Sequence, residues 1–242
     1  MKEERFFFVP QASDVQELPE EEAAHALRVL RLKEGDGLVL IDGEGTFLQA
    51  TVSMVSGKHC FYVIEKRIPQ LRQWVRHLHL AIAPTKMMER MEWLAEKATE
   101  VGLDELSLLD CRFSERRVVK TQRLEKIVVS AMKQSRKAWK PTVNAMQDFR
   151  SFVKQHNNGF RFIAHCYDEV PRRSLFAELR QASLSDDTEV IVMVGPEGDF
   201  SIDEVRMAIE AGFVSVDLGK SRLRTETAGL AAVMMMQLSE QS

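Results

Sequence analysis

Residues 189–201 read EVIVMVGPEGDFS. After Glu189 the next five residues are apolar, which predicts a strand buried on both faces at the centre of a parallel sheet that helices cover on both sides. A loop with two glycines follows, and then SIDEVRMAIEAG (201–212), which has helical spacing. Ser201 and Glu204 form an S-x-x-E capping box, and Gly212 is placed to end the helix. This order of strand, loop and helix is typical of an α/β domain.

Other segments repeat the alternation on both sides of this stretch. The further strand candidates are HLHLAIAP (77–84), ELSLLDC (105–111), RFIAHCY (161–167) and VSVDLG (214–219). Amphipathic helical patterns occupy 86–102, 121–138 and 173–181. Residues 71–242 are therefore predicted to form an α/β domain with a mostly parallel sheet. The last helix, TETAGLAAVMMMQLSEQ (225–241), is apolar on most of its surface, so we expect it to contribute to a homodimer interface.

Residues 1–70 are predicted to form a separate small domain. EEAAHALRVLRL (21–32) has helical spacing, and short β-rich runs follow it up to Pro69. Asp42-Gly43 and Gly57-Lys58 mark turns between those runs. The pattern favours a small antiparallel barrel.

The composition bounds the class of protein. The chain has 242 residues, of which 45% are hydrophobic and 29% charged, as in soluble globular proteins. No apolar run approaches the ~20 residues that span a bilayer, and MKEERFFFVP (1–10) lacks the apolar segment of a signal peptide. We therefore expect a cytoplasmic protein that does not bind a membrane.

Neither the cysteines nor the histidines predict a metal site. Cys60, Cys111 and Cys166 lie far apart and have no C-x-x-C spacing, so we expect buried free thiols. His77 and His79 share one face of a predicted strand but lack a third ligand nearby in sequence. We assign no metal from the sequence.

The charge distribution favours a nucleic-acid partner. The formal net charge is −3, but residues 71–141 carry 15 basic and 9 acidic side chains. Within them, residues 111–140 hold ten Lys and Arg against Glu115 and Glu125 alone, a density that suits phosphate contacts. The alternative is an ordinary solvated helix face. The interleaved Gln134, Ser135 and Trp139 favour RNA, because amide, hydroxyl and aromatic groups contact sugars and bases.

Two loops are predicted to form the walls of one crevice. GPEGDFS (195–201) and KSRLR (220–224) each follow a strand, and ligands of open α/β sheets bind at the carboxyl ends of the strands. Glu197 and Asp199 would repel a phosphate, so a ligand with hydroxyls, amines and a positive charge, such as S-adenosylmethionine, fits better. The alternative for the second loop is a solvated turn in which Thr225 caps the last helix.

The paired motifs GPEGDFS and LGKSRLRTETA (218–228) resemble those of the SPOUT superfamily of methyltransferases, and in particular the ribosomal RNA small-subunit methyltransferase E family. HALRVLRLKEGD (25–36), EKATEVG (96–102) and QSR (134–136) match the family pattern in the same order. The resemblance implies S-adenosylmethionine-dependent methylation of N3 of one uridine in 16S ribosomal RNA. Two residues depart from the pattern: the family often has glycine at Asp199 and a bulkier aliphatic residue at Arg222.

The resemblance also implies a fold and residue roles. It implies a PUA-like RNA-binding barrel at 1–70, a SPOUT domain with a deep trefoil knot at 71–242, and a homodimer whose two subunits build the site. Arg224 is the expected catalytic residue, with Glu226 as proton acceptor or as the residue that orients Arg224. The expected cofactor contacts are Gly195, Pro196, Glu197, Gly198, Leu218, Gly219, Leu223, Arg224, Thr225, Thr227 and Ala228. The expected RNA contacts are Arg5, His25, Arg28, Arg31, Lys86, Arg116, Arg123, Gln134, Ser135, Arg136 and Arg222. Another SPOUT activity, such as ribose methylation of transfer RNA, and a non-catalytic RNA-binding assembly factor stay open as alternatives.

Overall fold

A computed structural model describes residues 5–182 and 188–241. The chain forms two compact units, one of residues 1–73 with 129–140 and one of residues 74–128 with 141–242. The ranges 1–70 and 71–242 stay our proposal for the two domains. The helices are α1 (Glu20–Ala24), α2 (Met88–Val101), α3 (Thr121–Gln134), α4 (Phe149–Gln155), α5 (Leu175–Gln181), α6 (Ile202–Glu210) and α7 (Thr225–Ser239).

The first unit is built on a four-stranded sheet in the order β1 (Phe6–Phe8), β2 (Gly37–Ile41), β3 (Thr46–Ser56) and β4 (His59–Pro69). The three later strands are antiparallel, and Gly57-Lys58 forms the two-residue turn between β3 and β4. The expectation of an all-antiparallel arrangement is wrong for β1, which pairs parallel with β2. The helix predicted at 21–32 is also shorter, because α1 passes into a π-helical turn (His25–Val29) and Arg31 has a φ of +54°.

The second unit contains a seven-stranded parallel sheet. Its strands are β5 (His77–Ile82), β6 (Glu105–Asp110), β7 (Thr142–Asp148), β8 (Phe160–Ala164), β9 (Arg173–Ser174), β10 (Glu189–Val194) and β11 (Val214–Asp217). The order is β7-β6-β5-β10-β8-β11-β9, so β10 is central, which confirms the prediction from EVIVMV. β7, β9 and α4 were not predicted, and β8 ends at Ala164, three residues before the predicted end.

Helices cover both faces of this sheet, because successive side chains of β10 point to opposite faces and those from Val190 to Val194 are all apolar. Val190, Val192 and Val194 pack in a core with residues of α2, α3, α5 and α7. Ile191 and Met193 point to the opposite face and pack with residues of α4 and α6. Each fully buried Val or Ile contributes about 1.5–3 kcal/mol. Since all strands are parallel, their carboxyl ends meet at one edge of the sheet.

Helix α7 is covered largely by its own chain. It packs on α2 and α5, and a Cβ on Gly229 would lie 2.9 Å from Ile82 Cδ1, so glycine permits the close approach. Its last turn is tied down by a buried ion pair of 2.6 Å between Arg76 Nε and Glu240 Oε1. Met234 and Leu238 stay exposed. None of the helices in the described part of the chain is long and apolar enough to cross a membrane.

Candidate active site

A crevice of about 610 Å³ lies at the carboxyl edge of the seven-stranded sheet. Its walls are the loops that follow β8, β10 and β11, together with Arg90 of α2 and the start of α7. The two loops predicted from sequence are thus brought together. Ten of the eleven expected cofactor contacts line the crevice: Gly195, Pro196, Glu197, Gly198, Leu218, Gly219, Leu223, Arg224, Thr225 and Ala228. Thr227 does not, because it lies on the exposed side of α7.

The loop after β10 is a tight turn fixed by its own backbone. The Asp199 N–H donates to the Pro196 carbonyl at 2.9 Å. The capping box of Ser201 and Glu204 forms as predicted, and the φ of +91° at Gly212 suits the glycine just after α6. A Cβ on Gly195 would lie 2.9 Å from Phe200 N, so this glycine is required by packing within the turn. The carboxylate of Glu197 accepts the Lys86 N–H at 3.0 Å, which anchors the outer end of the loop.

Asp199 has a structural role in this turn. Its φ of +67° is in the left-handed region, which favours glycine over other residues. Its carboxylate compensates for the strain, since Oδ2 accepts the Cys166 N–H at 2.8 Å and Oδ1 accepts the Phe200 N–H at 2.7 Å. Asp199 therefore links the loop after β8 to the loop after β10.

The loop after β11 forms the facing wall. Gly219 has a φ of +110°, and its N–H donates to Asp217 Oδ1 at 2.9 Å in a side-chain turn. Apart from its two chain neighbours, no described residue has an atom within 4 Å of a Cβ built on Gly219, so the space beside this glycine is open. The suggestion that Thr225 caps α7 is wrong, because Thr225 is the first residue of the helix and Arg224 is the N-cap residue. Thr225 is buried instead.

Glu226 faces Arg90. Its Oε1 lies 3.7 Å from Arg90 Nε, and its buried Oε2 has no hydrogen-bond partner among the described residues. No ion pair between Glu226 and Arg224 is found in the described part of the chain, so the expected orienting contact is made to Arg90 instead. Arg90 lines the crevice and Glu226 does not.

The third wall, after β8, was missed by sequence reasoning. It contributes His165, Cys166 and Arg172 to the crevice, and it lies between the other two loops because β8 lies between β10 and β11. The sequence contains these residues in RFIAHCY (161–167), whose last three residues follow the end of β8 and so belong to the loop. The order of the strands in the sheet is what sequence alone did not supply.

His165 has a determined tautomer. The Ser215 hydroxyl donates to the Pro171 carbonyl at 2.9 Å, so its oxygen accepts the His165 Nε2–H at 2.8 Å. Nδ1 then accepts the Tyr167 N–H at 3.2 Å. Burial lowers the pKa of His165, so the ring stays neutral and acts as a structural support of this wall.

Cys166 contradicts the expectation of three buried thiols. Cys60 and Cys111 are buried, but Cys166 is exposed and lines the crevice because β8 ends before it. Desolvation, and then the charge of Asp199, raise the pKa of the Cys166 thiol. The thiol is therefore protonated at neutral pH and is a poor nucleophile.

The expected RNA contacts in the second unit are largely engaged in local interactions. Arg116 donates to the Lys86 carbonyl at 2.6 Å, Lys86 Nζ lies 3.0 Å from Glu115, and Arg123 Nε lies 2.5 Å from Glu92. Arg222 is exposed at the crevice. Of these four expected RNA contacts, Arg222 is therefore the one that lines the crevice.

The remaining expected RNA contacts lie in the first unit, and the exposed ones among them are His25, Arg28, Arg31, Gln134 and Arg136. Arg5 and Ser135 are half-buried, and the Ser135 hydroxyl donates to the Ala131 carbonyl at 2.7 Å. Trp139 was expected to favour base stacking, but its indole packs against Gly45, with Arg72 4.9 Å from its ring centroid. The Trp139 side chain therefore packs within the first unit.

Comparison with known proteins places both parts of the chain in described families. Residues 72–237 match the family described as RNA methyltransferase domain, and residues 18–65 match RNA methyltransferase PUA domain. The chain is 30% identical over 225 residues to ribosomal RNA small subunit methyltransferase E of Rickettsia conorii, which covers 92% of this chain and 89% of the relative.

Solved structures agree with these matches. A probable rRNA-methyltransferase from Porphyromonas gingivalis is 39% identical, with a TM-score of 0.89 over 98% of each chain. A ribosomal RNA small subunit methyltransferase E from Neisseria gonorrhoeae, bound to S-adenosyl methionine, is 26% identical, with a TM-score of 0.84 over 98% of each chain.

Proposed function

Because this chain belongs to the ribosomal RNA small subunit methyltransferase E family of RNA methyltransferases, we propose that it uses S-adenosylmethionine to methylate N3 of a uridine in 16S ribosomal RNA. The observation that carries the proposal is the crevice at the carboxyl edge, which GPEG (195–198) lines together with residues 218, 219 and 221–225. The trefoil knot implied by the family resemblance stays a prediction.

The residues of the crevice fit S-adenosylmethionine. Its volume of about 610 Å³ lies within the usual range of roughly 300–1,000 Å³ for small-molecule sites. The backbone of residues 195–198 and 218–219 offers N–H and carbonyl groups to an adenosine, and the carboxylates of Glu197, Asp199 and Asp217 suit a ligand with amino and sulfonium charges. The bound cofactor supplies a methyl group on a positively charged sulfur.

Arg224 is our candidate for the catalytic residue. Its exposed side chain lines the crevice beside Arg222 and Leu223, where a nucleotide would approach the cofactor. Uridine N3 carries a weakly acidic proton, and its loss leaves negative charge on the two neighbouring carbonyl oxygens. A guanidinium within reach of that charge stabilises the transition state, and positioning supplies most of the remaining acceleration.

Glu226 supports the site indirectly, through Arg90. Since its Oε1 lies 3.7 Å from Arg90 Nε and the carboxylate is buried, we assign it the role of holding Arg90 at the crevice wall. This role needs no raised pKa, unlike the role of general base. The general base is then solvent or a group of the substrate.

The RNA contacts are proposed to come from both units. His25, Arg28, Arg31 and Arg136 are exposed in the first unit, and Arg222 is exposed at the crevice. These groups suit phosphate and sugar contacts. Ribosomal RNA as the substrate also implies that the reaction takes place in the cytoplasm.

A homodimer is proposed from the outer side of α7. Thr227, Met234 and Leu238 are exposed and spaced seven and four residues apart, so they share one face of the helix. A second copy packed on this face would bury the two apolar side chains and bring Thr227 to the interface. Light scattering coupled to size-exclusion chromatography tests this, since a monomer at micromolar concentration would contradict it.

Nucleoside mass spectrometry separates the candidate reactions. Small ribosomal subunits, naked 16S RNA and transfer RNA, each lacking the modification, would be incubated with the protein and S-adenosylmethionine. We expect methylation on a uridine base of the small-subunit RNA. A ribose methyl in transfer RNA would select the other SPOUT activity, and no methyl in any substrate would favour the non-catalytic assembly factor.

A further inference from the structure

The amino-terminal edge of the seven-stranded sheet, opposite the crevice, gathers three histidines and two glutamates. His77 and His79 come from β5, Glu105 from β6, and Glu189 from β10. His156 joins them from the end of α4. Sequence reasoning saw only the first pair, because the other three residues are brought in by the order of the strands and by a helix that was not predicted.

Three of these residues present ligand atoms at metal-site spacing. Those of His79, His156 and Glu189 all lie within 4.8 Å of one another. His79 Nδ1 lies 3.1 Å from Glu189 Oε1, and His156 Nδ1 lies 3.7 Å from Glu189 Oε2. In a tetrahedral zinc site, ligand bonds of about 2.0–2.1 Å put neighbouring ligand atoms roughly 3.3 Å apart. The two observed separations, one to each carboxylate oxygen of Glu189, lie on either side of that value.

The surroundings hold these ligands in place. His79 is fully buried, and its other ring nitrogen, Nε2, lies 2.8 Å from Ser107 Oγ, which also accepts from Asn144 at 2.9 Å. A hydrogen bond at the second nitrogen of a ligating histidine is the usual way to fix its ring. The ring of His156 packs against Phe152 at 4.2 Å between centroids.

Access is open on one side of this set. The side chains of His156 and Glu189 are 22% and 29% exposed, whereas that of His79 is fully buried. An ion could therefore enter from solvent and keep one water as its fourth ligand, as in sites with three protein ligands. The ligand atoms of His77, Glu105 and Glu189 also lie within 4.8 Å of one another, but this set shares Glu189 with the first and none of its three residues is fully buried.

We propose that His79, His156 and Glu189 form a binding site for a divalent transition-metal ion of the zinc type. The two imidazoles and one carboxylate come from β5, β10 and the end of α4, so the bound ion joins three elements of the second unit. Six-residue strands separate this edge from the crevice by roughly 20 Å, since a strand rises about 3.3 Å per residue. The ion therefore stabilises the fold and takes no part in methyl transfer.

Calorimetry with Zn²⁺ tests the site. The chain, freed of purification tags and treated with chelator, would be titrated with Zn²⁺, and its melting temperature measured with and without the ion. We expect one ion per chain and a higher melting temperature. His156→Ala and Glu189→Gln should each weaken binding at least about 10-fold, because each removes a ligand or its charge.

His59→Ala is the matched control. His59 Nδ1 and Glu17 Oε1 form a similar pair at 2.5 Å, but no third ligand atom is found with them in the described part of the chain. This variant should bind Zn²⁺ like the wild type. Circular dichroism of each variant excludes loss of folding, and the visible absorption of bound Co²⁺ reports tetrahedral ligands independently. The proposal is overturned if the wild type binds no ion, or if folded His156→Ala and Glu189→Gln bind it as tightly as the wild type.

Discussion

Replacing Asp199 by glycine should destabilise the protein, although glycine is the residue that a left-handed φ favours. Glycine relieves the left-handed φ of +67°, which costs a non-glycine residue roughly 1 kcal/mol. The same change deletes the hydrogen bonds that the carboxylate accepts from the Cys166 and Phe200 N–H groups at 2.8 and 2.7 Å.

The lost bonds outweigh the relieved strain. A hydrogen bond to a charged group contributes about 1.5–3 kcal/mol, and the half-exposed position of Asp199 reduces this. We assign about 2 kcal/mol to the pair, which leaves a net loss of about 1 kcal/mol. For a chain of this length that corresponds to a fall of roughly 2–4 °C in melting temperature. S-adenosylmethionine should also bind more weakly, because the Cys166 bond joins two walls of the crevice.

Differential scanning calorimetry measures the first effect, and two variants serve as controls. Asp199→Asn keeps an acceptor oxygen and tolerates the left-handed backbone, so its loss should be smaller. Glu210→Ala removes an exposed acid from the last turn of α6, where the helix dipole does not favour it, so it should change little. A glycine variant that melts at or above the wild-type temperature would refute the reasoning, since backbone strain would then dominate.

Three further predictions follow from the crevice. Arg224→Ala should abolish methyl transfer while isothermal titration shows nearly unchanged cofactor affinity; a parallel loss of affinity would contradict the catalytic role. Gly195→Ala should lower the free energy of unfolding by about 1–3 kcal/mol in denaturant unfolding, because the new Cβ would lie 2.9 Å from Phe200 N. Unchanged stability would show that the turn can shift to accommodate the Cβ. The contribution of His165 to stability should fall as the pH drops below 6.5, because burial lowers the folded-state pKa of His165, so the unfolded chain binds the proton first. His165→Gln should lessen that pH dependence, and an identical pH profile in the variant would assign the effect to other groups.

The sequence predicted those parts of the fold that depend on local pattern. The apolar run from Val190 to Val194 identified a strand that helices cover on both faces, and Ser201 with Glu204 identified the start of α6. Both features can be recognised within a few consecutive residues. Short or polar elements were missed. β7 (TVNAMQD) and the two-residue β9 lack a run of apolar residues, so periodicity does not distinguish them from loops.

Contacts between distant segments account for the other differences. His165 and Arg172 join the crevice only because β8 lies between β10 and β11, an order that is set by long-range pairing. Glu226 contacts Arg90, which is 136 residues earlier in the chain, instead of its neighbour Arg224. His79 likewise gains His156 and Glu189 from elements that sequence spacing does not relate to it. Local pattern thus located the two motif loops, and tertiary packing decided which side chains face them.

Titration of S-adenosylmethionine tests most directly whether this crevice is the cofactor site. Ala228 lines the crevice from the first turns of α7, so Ala228→Trp should fill it, whereas Arg206→Trp adds the same bulk on the exposed side of α6. We predict binding by the wild type and by Arg206→Trp, and a loss of about 10-fold or more in affinity, equal to about 1.4 kcal/mol, in Ala228→Trp. Absence of binding to the wild type, or equal binding by folded Ala228→Trp, would contradict the assignment of the crevice as the cofactor site.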